Sequence, residues 1–411
     1  MKKKLFSFLG MLLVLVLLTG ILLYTMKLKN DENCPEEGMA RWDLVSEHHP
    51  DDVFFEELVA LGGGIQVQGI PDQESVKDSM LRSMGHSKDI LEGLAELNGE
   101  VLNTLHDKLH EERPFGRQHT EAIGNKLRLP VSIIRPIEES PLVLWELKNL
   151  KYLLIQHARL VSLDQNQEAL NRDMQDISFL TDFELQNPTL VQLMVSTRTG
   201  LAWFDLIVNQ LPDEQLQEDY LALIPQNAQI RKCLGQSFYL EDVLTENLLT
   251  VQVLETEWWA PLVMNPCMTR KKVGEIFAHK LKGLEGALLN YQPLPPILKG
   301  EKPGVKEILF ENGLTWVLMD IGVPMFKNFV LKAGCYEAAA DLARLRIWLK
   351  SGERTQASMT ALITEHELLN PFTAKPYQVH EDGRIILFPE QTTNADWLRG
   401  LEPFQDWLHL P

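Results

Sequence analysis

Residues 141–188 read PLVLWELKNLKYLLIQHARLVSLDQNQEALNRDMQDISFLTDFELQNP, and they decide the fold. The spacing predicts a long helix over Leu142–Leu163, a break at Asp164-Gln165-Asn166, a second helix over Glu168–Leu185, and a new start at Asn187-Pro188. Proline in the first turn after an asparagine is helix-start chemistry, because its missing N–H would have no partner there anyway. The third helix is expected to end near Leu211, and Pro212-Asp213 to open a fourth that stops before Pro225. Successive helices with such short joints pack as antiparallel neighbours, so the fold class is mainly α, a helical bundle or a helical-repeat-like array.

Outward from this core the same rules extend the reading in both directions. A short amphipathic piece, Val53–Leu61, is stopped by Gly62-Gly63-Gly64. Met80, Met84, Ile90, Leu91, Leu94, Leu97, Val101, Leu102, Leu105 and Leu109 keep a helical rhythm over Asp72–Arg113, which Pro114 is expected to close. Pro130–Pro141 is too proline-rich and β-branched for a helix and marks a subdomain boundary. Beyond Gln226 the pattern is less clean around Trp258-Trp259, and residues 297–332 take no assignment. The alanine-rich run Cys335–Lys350 is a strong helix, Gln356–Glu365 a shorter one. Pro376–His380 and Arg384–Phe388 then form a small C-terminal β-hairpin around Glu381-Asp382-Gly383.

At the amino end, Leu5–Met26 is apolar throughout and free of charge, with Lys2, Lys3 and Lys4 before it. A stretch of that length spans a hydrocarbon core of about 30 Å as a helix, and the basic start keeps the amino terminus in the cytoplasm. A cleaved signal peptide is disfavoured because Thr19 to Met26 offers bulky residues where small ones are needed. The expected division is residues 1–4 cytoplasmic, 5–26 an N-terminal transmembrane helix, 27–64 a connector, 65–135 an N-terminal helical subdomain, 136–332 a central helical domain, and 333–411 a helix, hairpin and apolar tail. The main domain is expected in the periplasm, on a bacterial inner membrane.

The formal charge is −18, and the three lysines ahead of the apolar segment leave −21 for residues 27–411. Such a balance repels nucleic acid. An apolar fraction of 45% with 9 tryptophans and 16 phenylalanines is ample for a packed core, which excludes a disordered body. The four cysteines, Cys34, Cys233, Cys267 and Cys335, allow three pairings. Cys233 with Cys267 is the slightly preferred disulfide, being nearest in sequence and beside helix ends, and buried free thiols are the nearly equal alternative.

The closing residues carry a resemblance. The helix with Asp341-Leu342-Ala343-Arg344-Leu345-Arg346, then Asn370-Pro371-Phe372-Thr373-Ala374-Lys375-Pro376-Tyr377 and the hairpin, resembles the carboxyl end of a group of uncharacterised bacterial membrane-anchored helical proteins. Asn370 and Ala374 stand where that group has aspartate and glycine. Leu153–Leu160 and Asn187–Val195 are similar to it in order and spacing. The group implies an architecture and no activity. The ending is also similar, more weakly, to pseudopilins of secretion systems, but Leu5–Met26 lacks the glutamate that pilin-like proteins carry in their apolar helix.

Candidate chemistry is sparse. His106 and His110 lie four apart on a helix with Glu111 and Glu112 beside them, without the glutamate that H-E-x-x-H requires, so a solvated helix end is the reading. His48-His49 with Asp51 and Asp52 falls in the connector. Glu74-Ser75 and Glu139-Ser140 lack the segments that accompany such pairs in lytic transglycosylases, and no nucleophile elbow, phosphate loop or dinucleotide fingerprint appears. No catalytic residue, metal, cofactor or small-molecule ligand is therefore expected. Trp258, Trp259, Trp397, Phe404 and Trp407 are the expected interaction surface, since tryptophan anchors interfaces. The reading is a membrane-anchored periplasmic helical scaffold that binds another envelope protein. An envelope hydrolase with an unrecognised site, or an accessory subunit of a secretion or pilus-like assembly, are the alternatives.

Overall fold

The computed structural model describes residues 45–46, 52–67, 80–83, 85–122, 127–128, 140–185, 190–235, 237, 313–350, 355–381 and 385–386. The chain forms two compact units, one of residues 1–44, 241–283 and 294–326 and one of residues 45–240, 284–293 and 327–411. Helix makes up 77% of the described residues, so the class is mainly α. Among those residues no helix is long and apolar enough to cross a membrane, and the Leu5–Met26 span lies outside them.

The second unit is built in chain order from β1 (Val45–Ser46), α1 (Asp52–Gly63), α2 (Lys88–Leu97), α3 (Gly99–Ala122), β2 (Leu127–Arg128), α4 (Ser140–Leu163), α5 (Gln167–Leu185) and α6 (Leu190–Asp205). β1 and β2 pair in parallel over two residues each. α4 lies at the centre and packs against α1, α2, α5 and α6. Its Leu150, Tyr152, Leu153, Leu154, Ile155 and Ala158 are buried, and so are Lys148, Asn149, Lys151 and Gln156 on the remaining faces. A helix covered all round is a core helix, and its polar groups must find partners among its neighbours. Lys151 Nζ meets Glu184 of α5 at 2.6 Å with both side chains buried. Gln156 Nε2 donates to the carbonyls of Leu81 and Ser83, at 2.6 and 3.0 Å. On the α1 side, Gly62 sits so close to α4 that a Cβ there would collide with the Glu146 carbonyl.

The joint at Asp164-Gln165-Asn166 forms as expected. Gln165 takes a positive φ of 57°, Asn166 N–H returns to the Val161 carbonyl at 2.8 Å, and the Asn166 side chain accepts from Ala169 N–H as a cap for α5. α3 differs from expectation in carrying Pro114 inside it rather than ending there. A proline removes one ladder bond and bends a helix without always terminating it.

The fourth helix expected from Pro212 is absent. α6 runs on into a π-helical turn, Leu206–Gln210, and two short 3-10 turns follow at Asp213–Gln215 and Glu218–Ala222. Side chains from distant helices explain this. The Gln215 amide is held by Ser162 at both ends, at 2.5 and 2.8 Å, and the Tyr220 hydroxyl donates to Asn171 at 2.6 Å and accepts from Gln167 at 3.0 Å. These bonds pin residues that a regular helix would turn away.

α7 (Gly313–Leu349) contains the predicted Cys335–Lys350 helix and starts well before it. Its charged residues dock the irregular stretch and the helical residues 227–235. Arg346 donates to the carbonyls of Val208 and Leu211, each at 3.3 Å, and pairs with Asp213. Arg344 donates to the Pro225 carbonyl and to Asn227 Oδ1, the latter at 3.0 Å. Arg231 grips Glu337 through Nε and Nη2, with Nε at 2.9 Å from Oε2. Carbonyls that lose their ladder partners thus gain arginine donors. Closer to the core, Tyr336 packs on Phe204 and fills the space over Gly200, where a Cβ would strike its ring.

α8 (Gln356–Glu365) opens on a capping box, with Thr355 Oγ1 accepting from Ser358 N–H and Ser358 Oγ accepting from Thr355 N–H, both at 3.1 Å. In the loop that follows, Asn370 Oδ1 accepts from Phe372 N–H at 2.9 Å, and Ala374 adopts φ 53°, the left-handed region that favours glycine. β3 (Gln378–Val379) and β4 (Ile385–Ile386) pair antiparallel over two residues each.

Replacing Lys151 by methionine strands a buried Glu184, and unfolding in urea should register a loss of about 3–5 kcal/mol. The double variant Lys151→Met with Glu184→Leu should recover most of that loss. Equal destabilisation in single and double variants would show that the pair is not the link between α4 and α5.

Candidate metal centre

α3, α4 and α5 bring four titratable side chains to one place. On α3 the buried stripe is Leu102, Leu105, His106 and Leu109, so His106 occupies a core position of an otherwise leucine seam and is 5% exposed. α5 turns Leu170, Asp173, Met174, Asp176 and Ile177 inward, and both aspartates are wholly buried. His157 comes from α4, with its side chain 16% exposed.

His106 Nδ1–H donates to Asp176 Oδ2 at 2.5 Å, and His106 Nε2 lies 3.4 Å from Asp173 Oδ1. His157 Nδ1–H donates to the other oxygen of Asp173, Oδ2, at 2.7 Å. Asp173 therefore stands between the two histidines and addresses each with one oxygen. Its Oδ1 is buried and accepts no hydrogen bond. The rings are 6.0 Å apart between centroids and inclined at 53°. One ring nitrogen of each histidine and one oxygen of Asp173 fall within 4.8 Å of one another, a set of donors able to hold a metal ion. With two nitrogens and one carboxylate it suits zinc or a neighbouring first-row cation, not calcium or magnesium, which need cages rich in oxygen.

The pairing of His106 with His110 is not how the structure uses these residues. His106 turns in toward Asp173 and Asp176, while His110 is exposed; the side chains of Glu111 and Glu112 lie outside the described residues. The expectation of no metal ligand treated His106 as part of a solvated helix end. That placement is corrected, because His106 sits on the apolar stripe of α3. His157, Asp173 and Asp176 were not singled out by sequence. Their signal was available as polar residues at core positions of strongly helical segments.

The other candidate residues fall differently. His48, His49, Asp51, Glu74, Ser75, Glu139, Trp258, Trp259, Trp397, Phe404 and Trp407 lie outside the described residues; Asp52 and Ser140 are the first residues of α1 and α4. Of the preferred pair Cys233 and Cys267, the second lies outside them, while Cys233 is a buried free thiol donating to the Leu185 carbonyl at 2.7 Å. Burial pushes its pKa to about 12, so it is an inert thiol at neutral pH.

Away from this cluster, the buried carboxylate of Asp341 has a raised pKa. Asp341 accepts from Arg344 Nη1 at 2.7 Å, from Asn227 at 3.0 Å and from the Tyr377 hydroxyl at 2.9 Å. Burial raises its pKa to about 6, against the lowering effect of those three partners. Its surroundings are protein on all sides, so it ties α7 to the loop before β3.

No family model, curated protein or solved structure matches this chain.

An acid with a raised folded pKa contributes stability that is fully present below its unfolded value and lost as pH rises through the folded one. For Asp341 the window runs from about 4 to about 6. Urea midpoints across that window should fall less steeply with pH in Asp341→Asn than in the wild type, whatever the variant's absolute stability. An unchanged slope would assign the pH dependence to other groups.

Proposed function

We propose that this is a single-pass, membrane-anchored protein whose extracytoplasmic body is a helical scaffold holding another envelope protein. The observation that carries this reading is a set of ion pairs in which at least one partner is buried. Lys151 with Glu184, Arg231 with Glu337, Arg344 with Asp341, and Arg346 with Asp213 each join separate segments, or brace one against its neighbours, and so stiffen the body as a platform. The apolar Leu5–Met26 segment after three lysines supports the anchor, and the likeness of the carboxyl end to membrane-anchored helical proteins supports the architecture.

The hydrolase alternative calls for a raised carboxylate in a polar cleft. Asp341 has the raised pKa and sits inside the helix packing instead. The open groove along α8, lined by Gln356, Ala357, Thr360, Ala361, Thr364 and Glu365, offers a single carboxylate and no histidine. Neither of these two places brings an acid and a base together among the described residues.

Crosslinking in intact cells followed by mass spectrometry tests anchor and partner at once. The full-length chain should fractionate with the inner membrane and give crosslinks from its helical body to one envelope protein, reproducibly across cultures. Removing residues 5–26 should release it from the membrane. A chain that gave no protein crosslinks, yet turned over peptidoglycan or a peptide when purified, would overturn the proposal.

A further inference from the structure

The geometry points to a divalent metal site of the zinc class, with His106, His157 and Asp173 as ligands and Asp176 as the group that orients His106. Two features of the cluster lead there together. The first is spacing. His106 Nε2 and Asp173 Oδ1 are 3.4 Å apart, too far for a charge-assisted hydrogen bond of about 2.7–2.9 Å. The edge of a tetrahedron with metal–ligand bonds of about 2.0–2.1 Å is about 3.3–3.4 Å long. The two donors are thus set at the separation that one tetrahedral ion imposes.

The second feature is orientation. With Nδ1 engaged by Asp176, His106 turns its Nε2 toward Asp173 Oδ1, an oxygen that accepts no hydrogen bond. Carboxylate–histidine–metal is the arrangement by which a second carboxylate fixes the ring and raises the basicity of the ligating nitrogen.

His157, the only one of the four with appreciable exposure, marks the side from which an ion enters and where water takes the fourth position. Binding there joins α3 to α4 and α5. It is independent of whether the body holds a partner, so either proposal can fail without the other.

Cobalt(II) is the probe, added to the untagged full-length chain in detergent after treatment with chelator. The expected result is one equivalent bound, with the visible absorption of a tetrahedral nitrogen and oxygen site and no thiolate charge-transfer band. Zinc(II) should displace the cobalt and raise the thermal midpoint. His157→Gln and Asp173→Asn should each weaken cobalt binding by at least about 100-fold. Asp176→Asn, which leaves the three ligands in place, should weaken it by about 10–100-fold while keeping the tetrahedral spectrum. Far-UV circular dichroism checks that each variant keeps its helix. A folded wild type that binds no stoichiometric cobalt overturns the proposal, as do binding indifferent to both ligand substitutions and a thiolate band assigning the ion to cysteine.

Discussion

Burial of α4 on every face is the constraint on which the rest depends. An apolar helix can be surrounded by any well-shaped neighbours, but α4 carries Lys148, Asn149, Lys151, Gln156 and His157 into the interior or to its edge. Each polar group taken out of water costs several kcal/mol unless its neighbour supplies a partner in the right place. Glu184 and Asp173 on α5, with the carbonyls of Leu81 and Ser83, are such partners, and they set how α5 and the segment before α2 sit against α4. Apolar contacts supply the driving force for packing. The polar links choose one register among the many that leucines would accept.

The same exchange operates at the carboxyl end of the helical body. Where α6 gives way to a π turn and two 3-10 turns, backbone carbonyls lose their regular partners, and α7 answers with Arg344 and Arg346. Those guanidinium groups are in turn held by Asp341, Asn227 and Asp213. Irregular backbone and buried arginines are therefore one feature seen from two sides. Asp341 extends the link to Tyr377, through which the last loop is fastened to α7.

How much of this was legible depends on whether the cause is local. The end of α4 and the start of α5 could be read because Asp164-Gln165-Asn166 carries its own turn and cap chemistry, whereas Asn187-Pro188 lies outside the described residues. The missing fourth helix could not, since Ser162, Gln167 and Asn171 hold Gln215 and Tyr220 across about 50 residues of chain. The histidine cluster was half visible. A histidine on the Leu102, Leu105, Leu109 stripe and two aspartates on the inner face of α5 are detectable as polar residues at core positions. That they meet, with 70 residues between His106 and Asp176, is a property of the packing of three helices and has no local signature.

Seen against that packing, the cluster differs from the other buried links. Lys151 with Glu184 and Arg344 with Asp341 close at ordinary ion-pair distances, whereas His106 and Asp173 stand off at 3.4 Å with the same carboxylate already engaged by His157. The proposed cation, shared by the three side chains, would fit between His106 and Asp173 at that spacing. X-ray absorption at the zinc edge of the zinc-loaded full-length chain tests this most directly. The account predicts a first shell of nitrogen and oxygen at about 2.0–2.1 Å with the outer-shell scattering of two imidazoles; a sulfur shell at about 2.3 Å, or a shell without imidazole, would contradict it.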